Sequence, residues 1–458
     1  MNLLESVNRF VWGIPALVMI VTVGIYLSVC TRFAQFRLLP KALRSFGSQF
    51  KTRKENNGTS PYSALCTALA ATVGTGNIVG VGGAILLGGP GAVFWMWVCA
   101  LLGMVIKFAE ATLAVRFQVK LPNGEIVGGP MYMIRYGMGR RWKFLAVAYC
   151  LFGVVASFGV GNTTQVNAVL MSVHALATLW GSSQTASVDL MVGILLAAFT
   201  GIVLLGGAKR VGNMAQRIVP FASLCYLVLC VATVMICYRR IPTAIRMILQ
   251  GAIDPKAVTG GVLGSAYTAL RIGASRGTFT NEAGMGTAAI AHAGAKVKHP
   301  VDQGLMGIVE VFLDTIVICT MTAFVILCSG VPVAFGTETG ELLAGSAFSA
   351  VLGKWSAVPL SLSLLAFAVA TIIGWSMYGA RCAQFLFGEQ SWRWFVVGQM
   401  GIMVLSVFLS TNTVWLLAET MNGLMAVPNL IVLLYLSPEL VKLLKYRSTK
   451  TYSGKINQ

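Results

Sequence analysis

The sequence predicts an all-α polytopic membrane protein of about 11 transmembrane helices, and three observations carry that prediction. Of its 458 residues, 56% are hydrophobic and 11% charged, with a mean hydropathy of +0.77. Soluble domains carry roughly 25% charged residues. Apolar runs of about 20 residues, the length that crosses a ~30 Å hydrocarbon core, recur along the whole chain. Two of the runs are broken near their middles by glycines and polar residues, at 74–77 and at 276–286.

In chain order, the first span is Trp12–Cys30, followed by a basic amphipathic segment, Phe33–Lys54, predicted to lie in the interface. Further spans are predicted over Tyr62–Leu87, Gly91–Val115, Phe144–Leu176, Val188–Leu205, Ile218–Cys237 and Gly261–Ala295. The last four are Gln303–Cys328, Ser356–Phe387, Trp394–Leu409 and Thr413–Val441. The first run is too long for a secretory leader and lacks a basic start, since Glu5 offsets Arg9, so it reads as a retained helix. The 10 cysteines contain no C-x-x-C pair, and His174, His292 and His299 stand at no metal spacing. The cysteines read as packing residues, and metal catalysis gains no support. A net charge of +19 would suit nucleic acid, but the 34 Lys and Arg gather in the loops. There they set topology and meet anionic headgroups, so no nucleic-acid partner is expected.

Basic residues alternate between sides. Segment 31–61 holds seven, 116–143 six, 207–217 three, 296–298 two and the tail after 441 five, whereas 88–90 and 410–413 hold none. This places the N-terminus outside and the C-terminus in the cytoplasm. Segment 238–257, with Arg239, Arg240, Arg246 and Lys256, disagrees. The Asn57-Gly58-Thr59 sequon then lies inside and is expected to be inert.

The first interruption, Gly74-Thr75-Gly76-Asn77, sits within LAATVGTGNIVGVGG. Lipid offers no partner for a free backbone N–H or C=O, so unwinding at that depth is tolerated only where the chain lines a cavity or is buried in protein. The second interruption is Arg276-Gly277-Thr278-Phe279-Thr280-Asn281-Glu282-Ala283-Gly284-Met285-Gly286. Broken spans at corresponding places in two halves point to a transporter binding site. Five spans per half require the halves to be inverted. The predicted division is an extra helix and basic segment (1–61), a first repeat (62–240), an external connection (241–260), a second repeat (261–442) and a basic tail (443–458).

After the first broken helix comes Gly88-Gly89-Pro90-Gly91-Ala92-Val93-Phe94-Trp95-Met96-Trp97-Val98-Cys99-Ala100-Leu101-Leu102-Gly103. With ATVGTGN, the GNxxQxN run at 161–167, RGxFTNEAGMG and TIIGW at 371–375, this run resembles the alanine/glycine:cation symporters, the bacterial and archaeal sodium:alanine symporters. The likeness covers nearly the whole chain. It implies a LeuT-like 5+5 inverted repeat with two discontinuous helices plus one extra N-terminal helix. It also implies Na⁺-coupled transport of a small neutral amino acid, alanine or glycine, with serine and D-isomers open.

On that resemblance, the amides of Thr75 and Gly76 would hold the substrate carboxylate at a half-helix N-terminus, where the dipole is positive. The carbonyls of Ala70 and Val73, with Asn77 and Thr371, would take Na⁺ as coupling ion, and Asn77 and Thr371 stay open as substrate ligands too, the Thr371 hydroxyl for the carboxylate; no cofactor is expected. Gln165 would face the substrate, although interhelical hydrogen bonding is an equal reading of one polar residue in an apolar helix. Carbonyls around Gly277 and Phe279 would meet the ammonium, with Phe279 as a lid. Ile78 and Trp375 would wall a methyl-sized pocket, and Thr371 lies one turn from Trp375. For Arg276 and Glu282, an ion pair closing a gate and direct ligation stay open. Glu310 and Asp314, one turn apart, read equally as a proton relay, a second cation site or partners of Arg271. Lys107 and Glu110 are expected to snorkel or pair.

The expected activity is Na⁺-coupled symport across the cytoplasmic membrane by alternating access, by a monomer with higher oligomers left open. The nearest rival is an H⁺-coupled carrier of the same fold using Glu282, Glu310 or Asp314. An intramembrane enzyme would need carboxylates or metal ligands converging at one depth; a channel stays open, though broken helices in both halves suit an occluding carrier better.

Overall fold

The computed structural model describes residues 3–12, 14–49, 59–181, 185–261, 265–337, 340–409 and 411–449. Lys51, Arg53, Lys54, the Asn57-Gly58 part of the sequon, Lys450 and Lys455 lie outside the described residues. Helices α1 (Leu3–Val11) and α2 (Ile14–Cys30) lead to α3 (Leu39–Gln49), which carries Lys41 and Arg44. The first broken span is α4 (Pro61–Thr72), one 3₁₀ turn (Thr75–Asn77) and α5 (Val79–Gly88). Next come α6 (Gly91–Arg116), a hairpin of β1 (Val119–Lys120) and β2 (Ile126–Val127), then α7 (Lys143–Phe158) and α8 (Thr164–Leu179). Helices α9 (Ala186–Leu205) and α10 (Gly207–Ile236) complete the first half, and α11 (Ile241–Ile253) connects it to the second.

The second broken span is α12 (Ala266–Asn281) and α13 (Thr287–Ala293). It is followed by α14 (Pro300–Val311), a π-helical stretch (Phe312–Cys319), α15 (Thr320–Ser329) and α16 (Gly340–Leu352). Helices α17 (Ala357–Phe387), α18 (Ser391–Leu405), α19 (Thr411–Tyr435) and α20 (Ser437–Thr449) close the chain.

Among the described residues, six continuous helical spans are long and apolar enough to cross a membrane. Two bent pairs also qualify when each is taken as one span: Pro61–Thr72 with Thr75–Gly88, bent by 61°, and Glu419–Tyr435 with Ser437–Arg447, bent by 55°. The other three predicted spans correspond to shorter helices (α2, α18) or to the polar broken pair α12/α13. The sequence reading missed α11 and α16, which it placed in loops.

The burial pattern is that of a bundle in lipid. On α10, Phe221, Leu224, Val228, Val231 and Met235 recur at helical spacing on an exposed apolar stripe, while Ala222, Tyr226, Cys230 and Thr233 face inward. The innermost helix is α6. From Gly103 to Val115 every residue is buried, including Lys107 and Glu110. It packs against α14, α12 and α13, while α17 packs against α7, α8 and α10, and α4 lies between α10 and α17. The broken spans therefore sit between two buried helices, α6 and α17.

Candidate binding site

Four stretches depart from α-helix near the middle of the bundle: the breaks at 73–78 and 282–286, and the π-helical turns at Gly159–Thr163 and Phe312–Cys319. Such turns recur at functional sites because they free backbone groups and re-aim side chains.

The first break begins where Val73 turns extended (φ −78°, ψ 101°) and Gly74 follows it (φ −155°, ψ −153°). Asn77 holds the turn closed. Its Oδ1 accepts from Gly74 N at 2.8 Å, while its Nδ2 donates to Asp314 Oδ1 at 2.7 Å and to the Asp314 carbonyl at 3.1 Å. Thr75 donates to Gln165 Oε1 at 3.3 Å, which joins the break to α8 two residues beyond the first π-helical turn. Gly76 faces Thr280, whose hydroxyl lies 4.0 Å from where a Gly76 Cβ would stand. Ala70, Val73 and Ile78 are buried on either side.

Thr371 reaches the same break from α17. A Cβ on Gly74 would come within 2.7 Å of its Oγ1, so only glycine lets the hydroxyl approach. Helical threonines commonly donate back to the carbonyl four residues earlier, as Thr67 does to Ser63 and Thr233 to Leu229. The buried Thr371 hydroxyl has no partner among the described residues. A buried hydroxyl without a partner costs roughly 1–3 kcal/mol, a cost a ligand relieves.

The second break starts later than predicted. Helix α12 continues through Gly277 and Phe279 to Asn281, so the Gly277 carbonyl lies inside the helix and the Phe279 carbonyl in its last turn, where the Ala283 N–H turns instead to Asn281 Oδ1. Gly277 permits close packing instead: its Cβ would stand 3.1 Å from the Met96 backbone. Phe279 is half-buried and meets Trp12 edge-on at 6.4 Å. The chain leaves the helix at Glu282, which is left-handed (φ 53°, ψ 22°), and Gly284 and Gly286 continue at φ 94° and 77°, where glycine is favoured. Glu110 Oε1 accepts from Gly284 N (3.0 Å), Gly286 N (3.2 Å) and Asn429 Nδ2 (2.7 Å). Here the amides freed by the break are held by an acid of α6. Asn281 repeats the work of Asn77: its Oδ1 accepts from Ala283 N at 3.0 Å, and its Nδ2 donates to Thr315 at 3.2 Å.

Two ion-pair expectations are corrected. Glu282 does not pair with Arg276; its carboxylate accepts from Trp375 Nε1 at 2.9 Å and from Thr287 Oγ1 at 2.6 Å. The acid within electrostatic reach of Arg276 is Glu419. Glu310 pairs with Lys107 at 2.8 Å and with His292 at 3.0 Å, while Arg271 is exposed. Of the two readings for Lys107, the structure shows pairing rather than snorkelling, since it is fully buried on the innermost helix beside Glu310. Asp314 is held by Asn77 and by Thr315, which donates to its Oδ2 at 2.8 Å.

Trp375 is fully buried, and the first π-helical turn makes room for it: a Cβ on Gly161 would stand 2.1 Å from the Trp375 Cβ. Of the residues singled out from sequence, Thr75, Asn77, Gln165, Thr371, Trp375 and Glu282 enter these contacts, Gly76 faces only Thr280, and Gly277, Phe279 and Arg276 stand apart. Sequence reasoning missed Asn429 and gave no role to His292; the signal for the first was an amide in an apolar span.

A cavity of about 160 Å³ opens at the end of the bundle that bears the hairpin, lined among others by Thr67, Lys209, Ile290, Met377 and Arg381. Across it Arg381 Nη1 donates to Glu125 Oε2 of the hairpin loop at 2.9 Å.

Residues 1–458 match the model of the sodium:alanine symporter family. An uncharacterized transporter of Haemophilus influenzae is 41% identical over 96% of this chain and 94% of its own. The sodium/alanine symporter AgcS of Methanococcus maripaludis is 40% identical over 95% of this chain and 94% of its own. Among solved structures, MhsT in complex with L-phenylalanine superposes with a TM-score of 0.60 at 14% identity, covering 86% of this chain and 99% of that one. The fold is LeuT-like, and the relatives are transporters.

Proposed function

The chain belongs to the sodium:alanine symporter family, and we propose that within it this protein couples Na⁺ to the uptake of small neutral amino acids, alanine or glycine first, by alternating access. The observation that carries the reading is the Thr371 hydroxyl, buried against Gly74 with no partner among the described residues. Na⁺ takes oxygen ligands, and that hydroxyl with the carbonyls of Ala70 and Val73 offers them across α4 and α17. The zwitterion is assigned to the same break, its carboxylate at the amides of Thr75 and Gly76 and its polar flank at Gln165. Asn77 acts through the backbone here, since both ends of its side-chain amide are engaged within the protein. Trp375 and Ile78 limit the side chain. Ion binding orders the turn that also receives the substrate, so each ligand raises the affinity of the other. The same reading places the protein as an eleven-span inner-membrane carrier with its N-terminus outside.

The test is radiolabelled alanine uptake into proteoliposomes, driven by an inward Na⁺ gradient or, under choline, by an inward H⁺ gradient. Accumulation with Na⁺ alone is expected. Accumulation with H⁺ alone would overturn Na⁺ coupling and turn attention to the buried acids, and no accumulation under either would overturn alanine as the substrate.

A further inference from the structure

We propose that Glu282 is a positioning residue that sets the Trp375 indole as the size-limiting wall of the site; this rests on the reading that Trp375 faces the substrate. An indole N–H inside a membrane bundle needs an acceptor, and a donor left unpaired there is costly. Glu282 Oε1 supplies the acceptor at 2.9 Å. The carboxylate cannot swing away, because Oε2 takes the Thr287 hydroxyl at 2.6 Å and the Glu282 backbone is fixed in the left-handed turn of the second break.

The indole is pinned on two further sides. Its Cβ lies over Gly161, where any side chain would collide, and its ring meets Tyr378 edge-on at 5.9 Å. Gly161 lies one turn before Gln165, which holds Thr75, and Trp375 lies one turn after Thr371, which touches Gly74. The wall is therefore indexed to the first break through both α8 and α17. Its one hydrogen bond runs to the second break. A glutamate buried beside a tryptophan thus acts on side-chain selectivity through the ring it orients and need not touch the amino acid itself.

The test is a comparison of uptake efficiency for alanine and valine in proteoliposomes. Glu282→Ala is expected to shift the valine-to-alanine ratio toward valine by about tenfold, the scale of one or two methylene groups in an apolar pocket. Glu282→Gln, which keeps the acceptor, is expected to retain the wild-type ratio. Trp375→Phe, which keeps a ring but loses the N–H, is expected to shift the ratio as Glu282→Ala does, and the double variant to shift it no further than either single one. If Glu282→Ala does not fold, Glu282→Met preserves volume without an acceptor and takes its place in the cycle. Additive shifts, or an unchanged ratio in a folded Glu282→Ala or Glu282→Met protein, would overturn the proposal. Failure of the wild-type protein to accumulate alanine with Na⁺ would instead overturn the reading beneath it.

Discussion

Asn77 and Asn281 close the two helix breaks in the same way, and both then bind one turn of π-helix. Each uses Oδ1 to accept a backbone N–H of its own break, from Gly74 and from Ala283. Each turns Nδ2 toward 314–315, Asn77 to the Asp314 carboxylate and Asn281 to the Thr315 hydroxyl, and Thr315 donates back to Asp314. The two breaks thus share one anchor, so a shift at one strains the other.

Asn77→Ala removes that anchor from the first break and takes the side-chain partner from Gly74 N, Asp314 Oδ1 and the Asp314 carbonyl. Each lost partner costs about 1–3 kcal/mol when buried. A lower melting midpoint in detergent and loss of alanine uptake are expected. Asn77→Asp is nearly isosteric but sets two carboxyl groups against each other. The exchange Asn77→Asp with Asp314→Asn restores one donor facing one acceptor and is expected to recover the midpoint. Recovery of neither stability nor folding by the exchange would show that this hydrogen bond does not hold the break.

Thr371 allows stability and ion binding to be separated. Its hydroxyl has no partner among the described residues, so Thr371→Val removes an unsatisfied polar group and is expected to melt at or above the wild type, by up to about 1–3 kcal/mol, while raising half-saturating Na⁺ at least tenfold. Thr371→Ser keeps the oxygen and is expected to stay near wild type. Na⁺-dependence of uptake measures both. An unchanged Na⁺ response in Thr371→Val would remove this hydroxyl from the ion site.

The first break was legible because its signals are local: two glycines to unwind, and an asparagine three residues on to cap. The second was read too early, at Arg276, because a glycine in a helix signals either a break or a close packing contact. Gly277 turned out to be the latter, set against Met96. Charge pairing was the least legible feature. Lys107 and Glu310 are 203 residues apart, and nothing in either neighbourhood names the other. Asn429, which ties Glu110 to Gly284, carried only the signal of an amide in an apolar span.

That pairing makes its own prediction. Lys107 and Glu310 are both fully buried, so Lys107→Met leaves a carboxylate with His292 alone beside it. Breaking one side of a buried pair costs about 3–5 kcal/mol, whereas replacing both sides is often tolerated. Thermal unfolding in detergent is expected to show a large loss for Lys107→Met and recovery of most of it in Lys107→Met/Glu310→Gln. A double variant no more stable than the single one would assign the loss to packing of the lysine stem.

At the cavity mouth, Arg381 lies 5.1 Å from the centre of the Trp392 ring and is fixed by Gln384 on its own helix, whereas Glu125 sits on the hairpin loop and is about a third exposed. The arginine is the fixed member and the hairpin the tethered one. With the arginine buried and the glutamate a third exposed, the pair is partly screened and worth about 1 kcal/mol, which permits about fivefold faster opening of the hairpin when it is cut. Tryptic cleavage at the exposed Lys120 reports that opening. Arg381→Ala and Glu125→Ala are each expected to speed cleavage by a similar factor, and the double variant no more than either. Unequal or additive effects would mean that the hairpin is held by something other than this ion pair, with the packing of Ile126 and Val127 against α13 as the remaining tether.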